Sequence, residues 1–259
     1  MRTVLIPHMG VSDQLNMQGL VRHYASITPG TLVLTEQGNC KEMVEALYCD
    51  LPNLEVYSDP GIYPSHIFDD EYIKQITRCS EIIRVGYNLI DWEHYPNMSF
   101  IDAFYLSKQV PKEYRYTNFC IPASIKEESQ QVYDDFVKQH GNDYILIHED
   151  PGHKKIGKCT YSINRGEFYP LIRNHMKLNC PLINLDQISK KVIDYYDVLK
   201  NAKEIHCIDS IWANFTYILT LSDPAFKTKK IYLHEYARTN KNPLLYRNPT
   251  PSNWVYLTD

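Results

Sequence analysis

The chain predicts an α/β protein of two halves, each a parallel sheet covered by helices. Three observations lead there. Short apolar runs alternate with helical patterns throughout, a βαβα rhythm that lays strands side by side and buries both faces of the sheet. With 259 residues the chain can supply two domains of roughly 120 residues each. Midway, the stretch from Val110-Pro111 to Ile121-Pro122 breaks the rhythm and reads as a linker.

The first half opens on the apolar strand Thr3-Val4-Leu5-Ile6, which ends at Pro7-His8-Met9-Gly10. From about Ser12, residues Met17, Leu20, Val21, Tyr24 and Ala25 share one face at a 3.6-residue period, and Thr28-Pro29-Gly30 stops that helix. Thr31–Leu34 and Leu54–Tyr57 follow as strands, with a helix over Lys41–Cys49 between them. A helix over Asp69–Cys79 leads to the strand Glu81–Val85, and another helix spans Ser99–Gln109. The loops Ser58–Phe68 and Gly86–Asn97 follow the third and fourth strands. They carry Tyr63, His66, Tyr87, Trp92, His94 and Tyr95. Loops at the carboxyl ends of strands are where an α/β sheet binds ligands. Aromatic faces beside polar groups suit a sugar, and they serve equally as loop packing.

In the second half, Ser124-Ile125-Lys126-Glu127 has a capping-box pattern and opens a helix to His140. Tyr144–Ile147 and Pro181–Leu185 read as strands, and Ile188, Val192, Tyr196 and Leu199 mark a helical face. Glu204-Ile205-His206-Cys207-Ile208 is a buried strand that passes through Asp209-Ser210 into an apolar helix ending near Leu221. Ile231-Tyr232-Leu233 is a late strand. The tail from Asn240 is irregular and docks back over the surface.

Composition narrows the function. A net charge of -4 and no basic run leave no electrostatic footprint for nucleic acid or an anionic membrane. No apolar run is long enough to span a bilayer. The seven cysteines are scattered and never spaced C-x-x-C, which argues for a reducing compartment and against a disulfide framework or zinc knuckle. No signal-peptide pattern precedes the first strand, so a cytoplasmic location is expected. Twenty-one tyrosines offer stacking surface with a hydroxyl, useful to carbohydrate and to cores alike.

Three segments could carry chemistry. After the first strand, Gly10 permits a tight turn and Asp13 lands in the first helical turn, where the helix dipole favours a carboxylate. Asp13 is then either a general base toward an alcohol or a plain capping residue. The loop His148-Glu149-Asp150-Pro151-Gly152-His153-Lys154-Lys155 does not fit a zinc helix, because its histidines are five apart and Pro151-Gly152 forbids the helix. It reads as an anion clamp through Lys154 or Lys155, or as a solvated charged turn. The third segment is the turn before the apolar helix. The amides of Ile211 and Trp212, with Ser210 as N-cap, form a natural seat for phosphate. Taken alone it is also an ordinary capped βα unit. No metal site, dinucleotide fingerprint or nucleophile elbow is present in the sequence.

Gly10-Val11-Ser12-Asp13, followed by Asn16-Met17-Gln18-Gly19-Leu20-Val21-Arg22, resembles the G-x-G-D opening of compact GT-B glycosyltransferases. These are the heptosyltransferase-like and related short enzymes of bacteria and large DNA viruses. Position 12 is Ser where that pattern has its second glycine. The His148-Glu149-Asp150 loop and the Cys207-Ile208-Asp209-Ser210 turn look like the family's two nucleotide-sugar contact regions. The resemblance implies two Rossmann-like lobes facing a cleft: an acceptor lobe over 1–115, a donor lobe over 116–240, and a docking tail over 241–259. It implies a glycosyltransferase that moves a sugar from a nucleotide-diphosphate donor to a glycan hydroxyl, inverting and independent of metal, with no cofactor. Asp13 would be the catalytic base. Donor contacts would come from His148, Glu149, His153, Lys154, Lys155, Asp209, Ser210, Ile211 and Trp212. Acceptor contacts would come from His8, Gly10, Tyr63, His66, Tyr87 and Trp92. Rival readings are a nucleotide-sugar epimerase on the same scaffold and a non-catalytic nucleotide- or glycan-binding module. The oligomeric state is not legible.

Overall fold

The computed structural model describes residues 1–8, 10–36, 40–58, 66–87, 98–149, 182–185, 191–237, 245–247 and 249–258. The chain divides into two compact units, Met1–Ala123 and Ser124–Asp259.

In the first unit, β1 (Arg2–Ile6), β2 (Thr31–Glu36), β3 (Leu54–Ser58) and β4 (Glu81–Arg84) form a parallel sheet in the order β3-β2-β1-β4. Val4, Leu5 and Ile6 are fully buried, as expected for a strand covered on both faces. The helices are α1 (Val11–Asn16), α2 (Gln18–Ile27), α3 (Lys41–Leu47), α4 (Asp70–Thr77), α5 (Phe100–Leu106) and α6 (Tyr114–Thr117). Asp69 caps α4 by accepting from the Tyr72 amide at 3.0 Å. Ser99 and Asp102 close a reciprocal capping box at the start of α5.

Two expectations for this unit need correction. The single helix expected from Ser12 is two, α1 and α2, separated at Met17. Asn16 is the cause. Its carbonyl accepts from the Tyr105 hydroxyl at 2.7 Å and its side chain from Arg115 Nε at 2.9 Å, so it is held by residues distant in sequence. The stretch expected to be a linker is also part of this unit. Arg115 is only 2% exposed, and Gln18 holds Cys120 through both its carbonyl (2.7 Å) and its amide (2.8 Å). These buried polar ties place the division near residue 123 rather than at 115.

The second unit begins with α7 (Ala123–His140). That helix starts one residue before Ser124, so the expected capping serine lies inside its first turn. Strands β5 (Ile145–His148), β6 (Leu182–Asn184), β7 (Glu204–Cys207), β8 (Lys230–His234) and β9 (Trp254–Leu257) form a parallel sheet in the order β6-β5-β7-β8-β9. Between β6 and β7 run a 3₁₀ turn (Val192–Tyr195) and α8 (Tyr196–Asn201); α9 (Ile211–Ser222) follows β7. The tail expected to be irregular ends in a true strand. Trp254 anchors β9 by donating its indole N–H to Thr220 Oγ1 at 3.1 Å and stacking edge-on against Tyr217 at 5.5 Å.

Strand order singles out one place in each sheet. From β1 the chain moves outward to β2 and β3, then returns to β4 on the other side of β1. From β5 it moves to β6, then returns to β7 on the other side of β5. Connections leaving two such neighbouring strands diverge and open a crevice at their carboxyl ends. Those ends are Pro7-His8 and Val85-Gly86-Tyr87 in the first unit, and Glu149 and Ile208-Asp209 in the second.

Candidate functional site

At the crevice of the first unit, His8 Nδ1 lies 2.9 Å from Asp13 Oδ2. The sequence builds this pair locally. β1 delivers His8, and Gly10 acts as the N-cap of α1, its carbonyl accepting from the amides of Asp13 at 3.1 Å and Gln14 at 3.3 Å. Asp13 thereby sits in the first turn of α1 and faces back toward His8. Burial holds the Asp13 carboxyl above the usual carboxylate range, while the hydrogen bond and charge of His8 pull against that rise. The imidazole is walled by Tyr87, Phe100 and Phe104, with ring centroids 5.5, 5.1 and 5.4 Å away. Gly86 has φ +87°, and a Cβ there would fall 2.3 Å from the Cβ of His8. The backbone after β4 is thus shaped to the histidine. Tyr87 meets Phe68 edge-on at 5.8 Å, and Phe68 is 61% exposed with the Arg84 guanidinium over its ring.

At the crevice of the second unit, His148 pairs in register with Cys207, and the Ile208 amide donates to the His148 carbonyl at 3.3 Å. His148 and Glu149 are both buried. Ser210 caps α9, its hydroxyl accepting from the Ala213 amide at 3.4 Å. The first turn of α9 holds no acidic residue, so its dipole is not offset from within. The amides of Ile211 and Trp212 belong to the helix-start group that no intrahelical carbonyl can satisfy. Trp212 itself is buried, its ring 5.7 Å from Tyr195 and 6.5 Å from His148.

Beside this turn the tail contributes residues that the sequence reading did not select. Tyr246 donates its hydroxyl to Asp209 Oδ1 at 2.5 Å and accepts from Asn214 Nδ2 at 2.9 Å. Arg247 pairs with Glu235 at 2.6 Å and stacks over Tyr256 at 4.6 Å. Burial, helped by the charge of Asp209, pushes the Glu235 carboxyl up against the pull of Arg247. The signal available in the sequence was the aromatic and basic pair Tyr246-Arg247 inside an otherwise proline-marked tail.

The structure therefore unites His8, Gly10, Asp13 and Tyr87 at one crevice, and His148, Glu149, Asp209, Ser210, Ile211 and Trp212 at the other. His66, expected among the acceptor contacts, packs on Tyr72 of α4 at 4.5 Å. Tyr63, Trp92, His153, Lys154 and Lys155 lie outside the described residues. Among the described residues no cluster of His, Cys, Asp or Glu could hold a metal ion, and no helix is long and apolar enough to cross a membrane.

Comparison with solved structures places this geometry. The crystal structure of a glycosyl transferase family 9 protein from Veillonella parvula superposes with a TM-score of 0.59 at 11% identity, covering 99% of this chain and 86% of that one. The fold is GT-B-like. The ADP-heptose LPS heptosyltransferase II of E. coli gives a TM-score of 0.53 at 9% identity, with 99% and 90% covered. The E. coli heptosyltransferase WaaC with ADP gives 0.50 at 9% identity, with 99% and 93% covered. No protein-family profile matches the sequence, and no curated protein matches it. The GT-B-like architecture anticipated from the Gly10–Asp13 turn is therefore present at identities where only the fold is informative.

Proposed function

We propose that this chain is a glycosyltransferase that moves a sugar from a nucleotide-diphosphate donor to a hydroxyl of a glycan acceptor, with inversion and without metal. The observation that carries the reading is the chemistry at the two crevices of a GT-B-like fold: a carboxylate–imidazole pair in the first unit, and in the second a serine-capped helix with no acid in its first turn. The likeness to enzymes named as heptosyltransferases, one of them bound to ADP, supports the same reading.

Cleavage of a sugar–diphosphate bond leaves negative charge on the departing diphosphate, and preorganised donors must meet it. The α9 amides and Ser210 supply such donors, and Lys154 and Lys155 are proposed to add positive charge. Asp209 or Glu149 is proposed to hold hydroxyls of the donor. The His8–Asp13 pair activates the acceptor hydroxyl for direct displacement, and the exposed Phe68 with Tyr87 offers ring faces to the acceptor. A reducing location such as the cytoplasm is proposed from the scattered cysteines, which are never spaced C-x-x-C.

A thermal-shift screen against nucleoside diphosphates, followed by a transfer assay on glycan acceptors, tests the proposal. A nucleotide at a hundred times its dissociation constant should stabilise the folded chain by about 2.7 kcal/mol. Asp13→Asn should lower transfer sharply and leave that stabilisation intact. No response to any nucleoside diphosphate would remove the proposal, and sugar conversion without an acceptor would point to an epimerase.

A further inference from the structure

Within the glycosyltransferase reading, on which this step rests, the geometry points to His8 Nε2 as the atom that takes the acceptor's proton, with Asp13 as the positioning residue behind it. The sequence pattern suggested the reverse, Asp13 as base and His8 as an acceptor contact. Two independent features support the exchange of roles.

First, the two nitrogens of His8 have different surroundings. Nδ1 is engaged by Asp13 Oδ2 at 2.9 Å. Nε2 has no partner among the described residues and is not sealed from solvent, the side chain being 23% exposed against 15% for Asp13. An ionised Asp13 holds the proton on Nδ1 and leaves the Nε2 lone pair facing outward, which is the base–orienter arrangement of a catalytic dyad. Second, the imidazole is held in place. Phe100 meets it nearly edge-on at 76°, Tyr87 and Phe104 flank it, and Gly86 leaves space that any side chain would fill. A residue making only a loose acceptor contact needs no such support.

The step balances without a co-reactant. The acceptor O–H proton passes to Nε2 as the acceptor oxygen bonds to the anomeric carbon. The bond from that carbon to the diphosphate oxygen breaks, and its electron pair leaves with the diphosphate. The imidazolium, its Nδ1–H bonded to the Asp13 carboxylate, then releases its proton to solvent.

The test compares the full-length chain with His8→Gln and Asp13→Asn. Gln keeps a side-chain amide beside Asp13 but offers no basic nitrogen. His8→Gln should lower turnover by about 10²–10⁴-fold and erase the ascending limb of the pH–rate profile. The donor dissociation constant, measured by calorimetry, should stay within about twofold. Asp13→Asn should shift that limb to lower pH. Long-range ¹H–¹⁵N spectra of the wild-type chain with the ring neutral should show His8 protonated at Nδ1. An active wild type with a His8→Gln variant of equal turnover would overturn the assignment, as would a ring protonated at Nε2. Failure of the glycosyltransferase reading would look different, because it would already show in the wild type as absence of sugar transfer.

Discussion

The helices α1 after β1 and α9 after β7 each start at the crevice of their own sheet and are built in opposite ways. α1 spans Val11–Asn16, takes Gly10 as a cap without a side chain, and places Asp13 inside its first turn. α9 spans Ile211–Ser222, takes Ser210 as a side-chain cap, and has no acid in its first turn. In α1 the positive end of the dipole is already occupied by the protein's own carboxylate. In α9 no acid of the first turn offsets it. The two turns thus differ in whether the helix start carries its own carboxylate. The difference comes from a few residues around each turn.

The largest expected effect comes from disturbing the first of these turns. Gly86→Ala adds a left-handed backbone penalty of about 1–2 kcal/mol and overpacking against His8 of about 1–3 kcal/mol. Urea unfolding should register the sum. Transfer should fall by about a hundredfold, because displacing a reacting group by an ångström has that effect. Gly141→Ala in the second unit is the matched control. Gly141 also has positive φ, but a Cβ there meets nothing within 4 Å, so only the backbone penalty should appear and turnover should hold. Equal losses of activity in both variants would deny the first crevice its special role.

Titration separates the units next. In the second, His234 is fully buried, 3.0 Å from His206, which stacks on Tyr232 at 4.4 Å. Burial first, and then the neighbouring His206, push the His234 pKa from 6.5 down to about 3. The unfolded chain therefore binds a proton that the native state refuses, and stability present above about pH 6.5 is lost as pH falls toward 3. The slope can reach about 1.4 kcal/mol per pH unit. The raised carboxyl of Asp13 acts with the opposite sign: its native form holds a proton more tightly than the unfolded chain, so its contribution favours the first unit on acidification. Acid unfolding followed by near-ultraviolet circular dichroism should begin in the tryptophan signals of Trp212 and Trp254. His234→Gln should flatten the slope.

How much of this was legible in the sequence follows from the range of the interactions involved. Strands such as Val4-Leu5-Ile6 and Ile205-His206-Cys207 were readable because an apolar run bounded by turns is a local signal. The Ser210 cap and the position of Asp13 in its turn were readable for the same reason. The break at Met17 was not, because it depends on Tyr105 and Arg115 reaching Asn16 across some 90 positions or more (|i−j| 89 and 99). Residues 110–122 looked like a linker because their composition is that of one. Only the burial of Arg115 and the tie between Gln18 and Cys120 show that they belong to a core. Tyr246 escaped because its partners, Asp209 and Asn214, are separated from it by 37 and 32 positions (|i−j|). His8 and Asp13 were both singled out, but their pairing needed the path of the chain around Gly10.

A charge placed on the second turn sharpens the contrast between the two helices. Ser210→Asp gives α9 the kind of carboxylate that α1 already carries. Asp is as good an N-cap as Ser, so the melting temperature should hold. A fixed negative charge within a few ångströms of a bound diphosphate should weaken nucleoside diphosphate binding by at least about tenfold in calorimetry. If the diphosphate binds away from this turn, affinity will not change.

The smallest effect completes that comparison. Ser210→Ala removes the hydroxyl that accepts from the Ala213 amide, a bond already long at 3.4 Å, so the loss should lie near the lower end of the capping range, about 0.5 kcal/mol. The backbone of the turn keeps its own support, since the Ser210 carbonyl still accepts from the Asn214 amide and from Asn214 Nδ2, both at 3.0 Å. The helix start therefore survives with its dipole unchanged, and what a diphosphate loses is one neutral donor, worth about 0.5–1.5 kcal/mol. Affinity should fall by about two- to tenfold, less than for Ser210→Asp, while the melting temperature moves slightly downward. The two variants thus order stability and binding in opposite senses, which a helix cap without a ligand cannot do.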